Sequence, residues 1–151
     1  MGYISDIRKK VGHDPVFMPS AGCAIIQNNK VLLQKREDNG KWALHGGALD
    51  LGETFEEALI REVKEELNVT VLNPELIDIY SGKEFHMIYP NQDEVYGICA
   101  VYLVREFIGQ LKQDDSEVTE LRWFELDDIP KDMHKPDKKA IIEIIKRYMG
   151  K

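Results

Sequence analysis

Glu62, Glu65 and Glu66 crowd one side of a short, strongly patterned segment. At about 100° per residue, a helix through them brings the three carboxylates within an arc of about 100°. That arc overlaps the edge of an apolar stripe formed by Phe55, Leu59, Val63 and Leu67. Like charges at i,i+3 and i,i+4 destabilise a helix by a few tenths of a kcal/mol per pair. Burial beside apolar side chains adds a desolvation penalty. A divalent cation relieves both. Hard carboxylate oxygens on a rigid face suit Mg²⁺ or Mn²⁺, which keep several waters and bind substrate phosphates directly. Arg61 stands beside this face, where it can pair with one of the acids and orient it. The competing reading is a solvated acidic face on an ordinary amphipathic helix, and the helix alone does not separate the two.

The residues just before it bear on that choice. His45-Gly46-Gly47-Ala48-Leu49-Asp50-Leu51-Gly52-Glu53 reads as a loop. Its paired glycines let the backbone approach a ligand closely and offer a carbonyl oxygen as a further metal ligand. Thr54 and Glu57 then form a T-x-x-E capping box, which satisfies backbone donors at the helix start. Asn68 can end the helix, because asparagine tolerates the left-handed conformation.

Loop and helix together follow one spacing: Gly47, five residues, Glu53, seven residues, Arg61-Glu62-Val63-Lys64-Glu65-Glu66, then Asn68 and Val69. The segment resembles the Nudix box, G-x5-E-x7-R-E-U-x-E-E-x-G-U with U aliphatic, of the Nudix (MutT-like) hydrolases. Asn68 stands where the family usually has Gly. His45 stands where many members have Pro, and Asp50 where Glu is common.

The resemblance implies hydrolysis of a diphosphate bond in a nucleoside diphosphate-linked compound, with one to three Mg²⁺ or Mn²⁺ ions as cofactors. It implies Glu66 and Glu65 as principal metal ligands and the Gly46 carbonyl as a backbone ligand. Glu62 is implied as a metal ligand or as an acid close to the nucleophilic water. Glu53 would steady the site through Arg61 or through metal-bound water. Many members draw a general base from the loop before a late strand, which makes Glu117 the first candidate, Glu120 the second and Glu94 the third. Glu117 reads equally as an exposed loop carboxylate.

Substrate choice is less legible. In the family, a Pro sixteen residues beyond the box accompanies ADP-ribose hydrolases and a Tyr eighteen residues beyond accompanies dinucleoside polyphosphate hydrolases. Phe85 and Met87 occupy those positions, so neither marker is present. Trp42, Tyr80, Phe85, Tyr89 and Tyr96 could stack on a base or ribose, although aromatics alternating along strands more simply fill a core. His86 could contact a phosphate or be a satisfied structural histidine. A nucleoside triphosphate, a nucleotide sugar and a capped or dinucleotide compound all stay open as substrates.

The elements that must carry these residues are mostly strands. Residues 21–27 and 30–36 flank Asn28-Asn29 and predict a hairpin. Residues 37–53 are loop-like. Strands are expected over 75–81, 84–89, 94–105 and 120–125, and a last helix over 137–149 begins after Pro136. The class is α+β, and the resemblance implies an αβα sandwich with a mixed β-sheet between helices. At 151 residues the chain fits a single domain over 1–151.

A net charge of −7 opposes binding to nucleic acid. No apolar run approaches membrane-spanning length, and the first residues carry charges where a signal peptide has an apolar core. Cys23 and Cys99 read as buried reduced thiols, which agrees with a cytoplasmic location. A homodimer is expected on the family's example alone. Two rivals stand beside the enzyme. One is a catalytically idle Nudix fold serving as a nucleotide-binding module, disfavoured because Glu62, Glu65 and Glu66 are all present. The other is a Ca²⁺-binding acidic protein, for which the chain lacks the D-x-[DN]-x-[DN]-G loop.

Overall fold

Residues 21–27 are apolar without alternation because both of their faces are covered. Ala21, Cys23 and Ile25 point into one buried cluster, and Ala24 and Ile26 into another on the opposite side. They belong to a sheet set between helices. The computed structural model describes residues 2–113 and 118–150. In chain order the helices are α1 (Tyr3–Val11), α2 (Phe55–Leu67) and α3 (Asp137–Tyr148). The strands are β1 (Val16–Gln27), β2 (Lys30–Arg36), β3 (Trp42–Ala43), β4 (His45–Ala48), β5 (Thr70–Leu72), β6 (Glu75–Tyr80), β7 (His86–Ile88), β8 (Glu94–Val104), β9 (Glu106–Ile108) and β10 (Val118–Glu125).

The main sheet runs β10-β2-β1-β8-β6, with β3 added to β2, β4 to β1 and β7 to β8. Its centre is the parallel pair β1 and β8, in register from Val16 opposite Val95 to Ile25 opposite Val104. The other pairs are antiparallel, so the sheet is mixed, as expected. One face is covered by α2 through Ala58, Leu59, Val63 and Leu67. The other is covered by α3 through Ala140, Ile141 and Ile144, beside Trp42, Val101 and Leu103. No helix among the described residues is long and apolar enough to cross a membrane.

Local chemistry explains the expected elements. Asn28 and Asn29 both take positive φ, 54° and 60°, which matches the right-handed twist of the strands they join. At the start of α2, Glu57 N–H donates to Thr54 Oγ1 at 3.0 Å and Thr54 N–H donates to Glu57 Oε1 at 2.9 Å. At its end Asn68 is left-handed, φ 64°, and its N–H donates to the Lys64 carbonyl.

Several elements differ from the sequence-based expectation. The sequence reading assigns no element to residues 3–11, where the structure has α1; Ile4, Ile7 and Val11 recur there at helical spacing, and none of its residues is fully buried. The loop expected over 37–53 contains β3 and β4, whose two- and four-residue lengths are set by their neighbours rather than by periodicity. The strand expected over 84–89 is a 3₁₀ turn, Lys83–Phe85, followed by the three residues of β7. β5 and β9 form a separate two-stranded ribbon that was not anticipated.

Candidate active site

The site is built where β4 passes over the carboxylate face of α2. β4 pairs with β1, placing Gly46 opposite Gly22 and Gly47 opposite Ala21. A Cβ on Gly46, whose φ is 141°, would run into the Ala21 carbonyl and the Gly22 Cα. Gly47 has a different reason to be glycine. A Cβ there would stand 2.5 to 2.8 Å from the carboxyl group of Glu62. The missing side chain is the space into which Glu62 fits.

Glu66 lies beneath the same strand and is buried. Gly46 N–H donates to its Oε1 at 2.9 Å, and Gln34 Nε2 approaches its Oε2 at 3.4 Å. Glu65 is the exposed member of the trio. Arg61 ties the acids together. Its Nε and Nη2 donate to the two oxygens of Glu53 at 2.6 and 2.8 Å, a bidentate pair. Its Nη1 donates to Glu62 at 2.9 Å and stands 3.5 Å from Glu65, and Nη2 also reaches the Ala48 carbonyl at 3.1 Å. This guanidinium holds the Glu53 carboxyl well down, at about 2, and the carboxylates push the Arg61 pKa up. The expected link from Glu53 through Arg61 is present as geometry.

His45 takes up the space under this turn. It is buried, its Nε2 donates to the Leu32 carbonyl at 2.8 Å, and burial lowers its pKa to about 4, so it is neutral. It therefore anchors β4 to β2 and holds no charge at the site.

Among the described residues no three of His, Cys, Asp or Glu converge closely enough to hold a metal ion unaided. The donor set nevertheless fits one. It consists of hard oxygens on one helix face, with a glycine cradle that admits Glu62 and a cation that balances their repulsion. Such a set suits an ion that completes its shell with water and phosphate oxygens.

Two cavities lie beside this strand, and Ala48 lines both. One, of about 210 Å³, runs from Gly46 and Gly47 between the soft side chains of Met18, Phe85, Met87 and Tyr89. Arg36, His134 and Asp137 form its polar end. Arg36 is fixed by Asp38, which accepts from Nε at 2.8 Å and from Nη2 at 2.6 Å. Asn39 Nδ2 lies 3.0 Å from His134 Nδ1, and burial lowers the His134 pKa to about 4. Asp137 accepts from Leu44 N–H at 3.0 Å, while burial pushes its carboxyl up to about 6. The second cavity, of about 250 Å³, is lined by Asp50, Arg61, Glu62 and Glu65 on one side and by Gly2, Tyr3 and Ile4 on the other.

Several sequence candidates fall elsewhere. Trp42 and Tyr80 are core residues, Trp42 edge-on to Phe124 and Tyr80 against Phe85. Of the aromatics named from sequence, Phe85 and Tyr89 line the first cavity. His86 does not line it; its Nε2 is 2.7 Å from Glu94, and its ring lies 4.8 Å from that of Tyr96. That pair also engages Glu94, the third candidate base. Glu120, the second, pairs with Arg122 on β10 and lines neither cavity. Glu117 lies outside the described residues.

Arg36, His134, Asp137, Gln34 and the first turn of α1 were not anticipated. Their only sequence signal was a charged or polar residue ending an apolar strand or opening a helix.

Comparison with known proteins agrees with this construction. A family model described as the NUDIX domain matches residues 16–144. An ADP-ribose pyrophosphatase of Methanocaldococcus jannaschii is 35% identical over 129 residues, 83% of this chain and 69% of that protein. The chain belongs to the Nudix family. It is a Nudix hydrolase. A MutT Nudix hydrolase from Burkholderia pseudomallei superposes with a TM-score of 0.74 at 27% identity, covering 87% of this chain and 98% of that one. An NAD-capped RNA hydrolase, NudC, of Vibrio atlanticus is 31% identical over 78% of this chain, which spans 41% of that longer protein. Divalent metal ions are general in the Nudix family.

Proposed function

We propose that this protein hydrolyses the diphosphate bond of a nucleoside diphosphate-linked compound in the presence of Mg²⁺ or Mn²⁺. The observation that carries the reading is the position of Glu62, Glu65 and Arg61 on a cavity that shares its Ala48 wall with a second cavity lined by soft and aromatic side chains. The nucleoside enters the cavity of Phe85, Met87 and Tyr89, where Asp137, His134 and Arg36 offer polar contacts to base and ribose. The diphosphate then lies along Gly47 and Ala48, over the carboxylates.

One to three divalent ions held by Glu62, Glu65, Glu66 and the Gly46 carbonyl would neutralise phosphate charge and acidify a water for in-line attack. Arg61 keeps Glu53 ionised and, by its hydrogen bonds, fixes the orientation of both Glu53 and Glu62. Gly46 N–H and Gln34 hold the Glu66 carboxylate in one plane. Glu117 is the proposed general base. A single domain over 1–151, a cytoplasmic location and a homodimer complete the proposal, the dimer resting on family example. The name of the Methanocaldococcus relative favours ADP-ribose as a first compound to try, while Phe85 replaces the proline marker of that subfamily.

The test is product release from ATP, ADP-ribose and NAD with Mg²⁺ or Mn²⁺, for wild type and Glu66→Gln. The expected outcome is turnover of at least one compound and its loss in the variant by about 10²-fold or more. Undiminished turnover in Glu66→Gln would overturn the metal role. Binding of all three compounds without turnover would favour the nucleotide-binding module.

A further inference from the structure

The second cavity is closed by a part of the chain that the Nudix box does not include. Gly2, Tyr3 and Ile4, the start of α1, face Asp50, Arg61, Glu62 and Glu65 across it. The contact is specific. Tyr3 N–H donates to Asp50 Oδ1 at 3.0 Å, and a Cβ on Gly2 would stand 2.9 Å from the same oxygen. The other Asp50 oxygen lies 3.6 Å from Arg61 Nη2, so one carboxylate joins α1 to the hub of the site. Asp50 is itself held, since its N–H donates to Glu53 at 2.7 Å and its carbonyl accepts from Glu53 N–H. The far end of α1 is pinned by Arg8, which donates to the Asp14 carbonyl and, at 2.6 Å, to the carbonyl of Glu94 at the head of β8. These ties, more than burial, set where the helix lies, because none of its residues is fully buried.

Resting on the reading above, the order of groups along the site is fixed. The nucleoside occupies the aromatic cavity, the scissile diphosphate crosses Gly47 and Ala48, and whatever hangs on the distal phosphate points toward α1. We propose that the first turn of α1 is the end wall of the substrate site, and that Tyr3 and Ile4, held by Asp50, determine which distal group is accepted. The wall acts sterically. The Tyr3 N–H is engaged by Asp50 and is not free for a phosphate. Asp50, at a position where the family commonly has Glu, thereby gains a structural reason for its identity.

The chain offers a narrow test. Tyr3 is the first helical residue, and Gly2 before it is extended, φ −95° and ψ 174°. Proline is favoured at that position and fits after an extended residue, so Tyr3→Pro deletes the hydrogen bond to Asp50 while leaving the helix able to form. Tyr3→Ala keeps the hydrogen bond and removes the wall's side chain. For both variants kcat/KM is measured with Mn²⁺ on ATP and ADP-ribose, which share a nucleoside and differ in the distal group.

The expected result is a change in the ATP to ADP-ribose preference of about tenfold in each variant, in favour of the bulkier ADP-ribose, with Mn²⁺ affinity unchanged. An equal factor on both compounds, or an effect confined to Mn²⁺ affinity, overturns the proposal. If wild type turns over neither compound, the hydrolase reading is judged separately, on NAD in the panel above. The wall is then judged by affinity for the α,β-methylene analogues of both compounds, where an equal change in the variants again overturns it.

Discussion

Gly47→Ala separates the needs of the site from those of the fold. The added methyl would meet the Glu62 carboxyl carbon at 2.5 Å, against an ordinary contact distance of at least 3.4 Å. The carboxylate must therefore retreat by about 0.9 Å, a difference taken from those two distances. It can do so, because the obstruction is the end of a flexible side chain, and Gly47 lies outside the positive-φ region, so alanine fits its backbone. The stability change is small. Some of the Arg61–Glu62 hydrogen bond is lost, while alanine restricts the unfolded chain and returns about 0.4–1 kcal/mol. The melting temperature should move by less than about 4 °C. Activity should respond differently, since a displacement of about 1 Å in a reacting array can lower the rate about 10²-fold. The assay pairs thermal denaturation with kcat and Mn²⁺ titration on whichever compound wild type hydrolyses. Gly46→Ala is the contrast, because there the methyl meets backbone on β1, and β1 and β4 cannot both stay in place. It should lower the melting temperature by several times as much. Wild-type kcat and Mn²⁺ affinity in Gly47→Ala would refute the idea that this glycine exists to seat Glu62.

Arg61→Lys keeps the charge and loses the planar fork on Glu53, so kcat/KM should fall by about 10²-fold or more while melting shifts little. Measuring Mn²⁺ affinity in the same variant shows whether Glu62 moves with it. Burial pushes the Asp137 carboxyl up to about 6 in the folded protein, from its ordinary value of 3.8. The folded state then takes up the proton more readily, so this group's contribution makes the protein more stable as pH falls from about 6 toward 4, by at most about 3 kcal/mol. Asp137→Asn should remove that slope in thermal denaturation between pH 4.5 and 6.5, and an unchanged slope would refute the assignment. Asn68→Ala forces alanine into φ 64° and should cost about 1 kcal/mol, whereas Asn68→Gly should be close to neutral in the same melts.

Much of this protein is written locally. α2 could be placed from its stripe, its Thr54 and Glu57 box and its Asn68 terminus, because each signal involves residues within a turn or two of one another. The family resemblance implies that Glu53 acts through Arg61 or through metal-bound water, and the structure forms the contact with Arg61, eight residues away along one loop and helix. The hairpin at Asn28-Asn29 and the apolar runs of β1 and β8 followed from turn chemistry and from burial on both faces.

Contacts between distant segments were decided by the tertiary structure. Gly47 reads in the sequence as a glycine that lets the backbone approach a ligand, and only the placement of β4 across α2 adds that it seats Glu62. Gln34 and Gly46 reach Glu66 across separations of 32 and 20 residues. The polar end of the aromatic cavity draws Arg36 from β2 and His134 and Asp137 from the start of α3, a convergence no periodicity records. His86 resembled a phosphate contact by type, but the pairing of β7 with β8 set it beside Glu94 instead. The carboxylate face follows from helix geometry, and the motif spacing over loop and helix carries the resemblance that implies the family and its reaction class. The cavity and its end wall depend on where sheet pairing brings β2, β4, α1 and α3, and only the folded chain decides that.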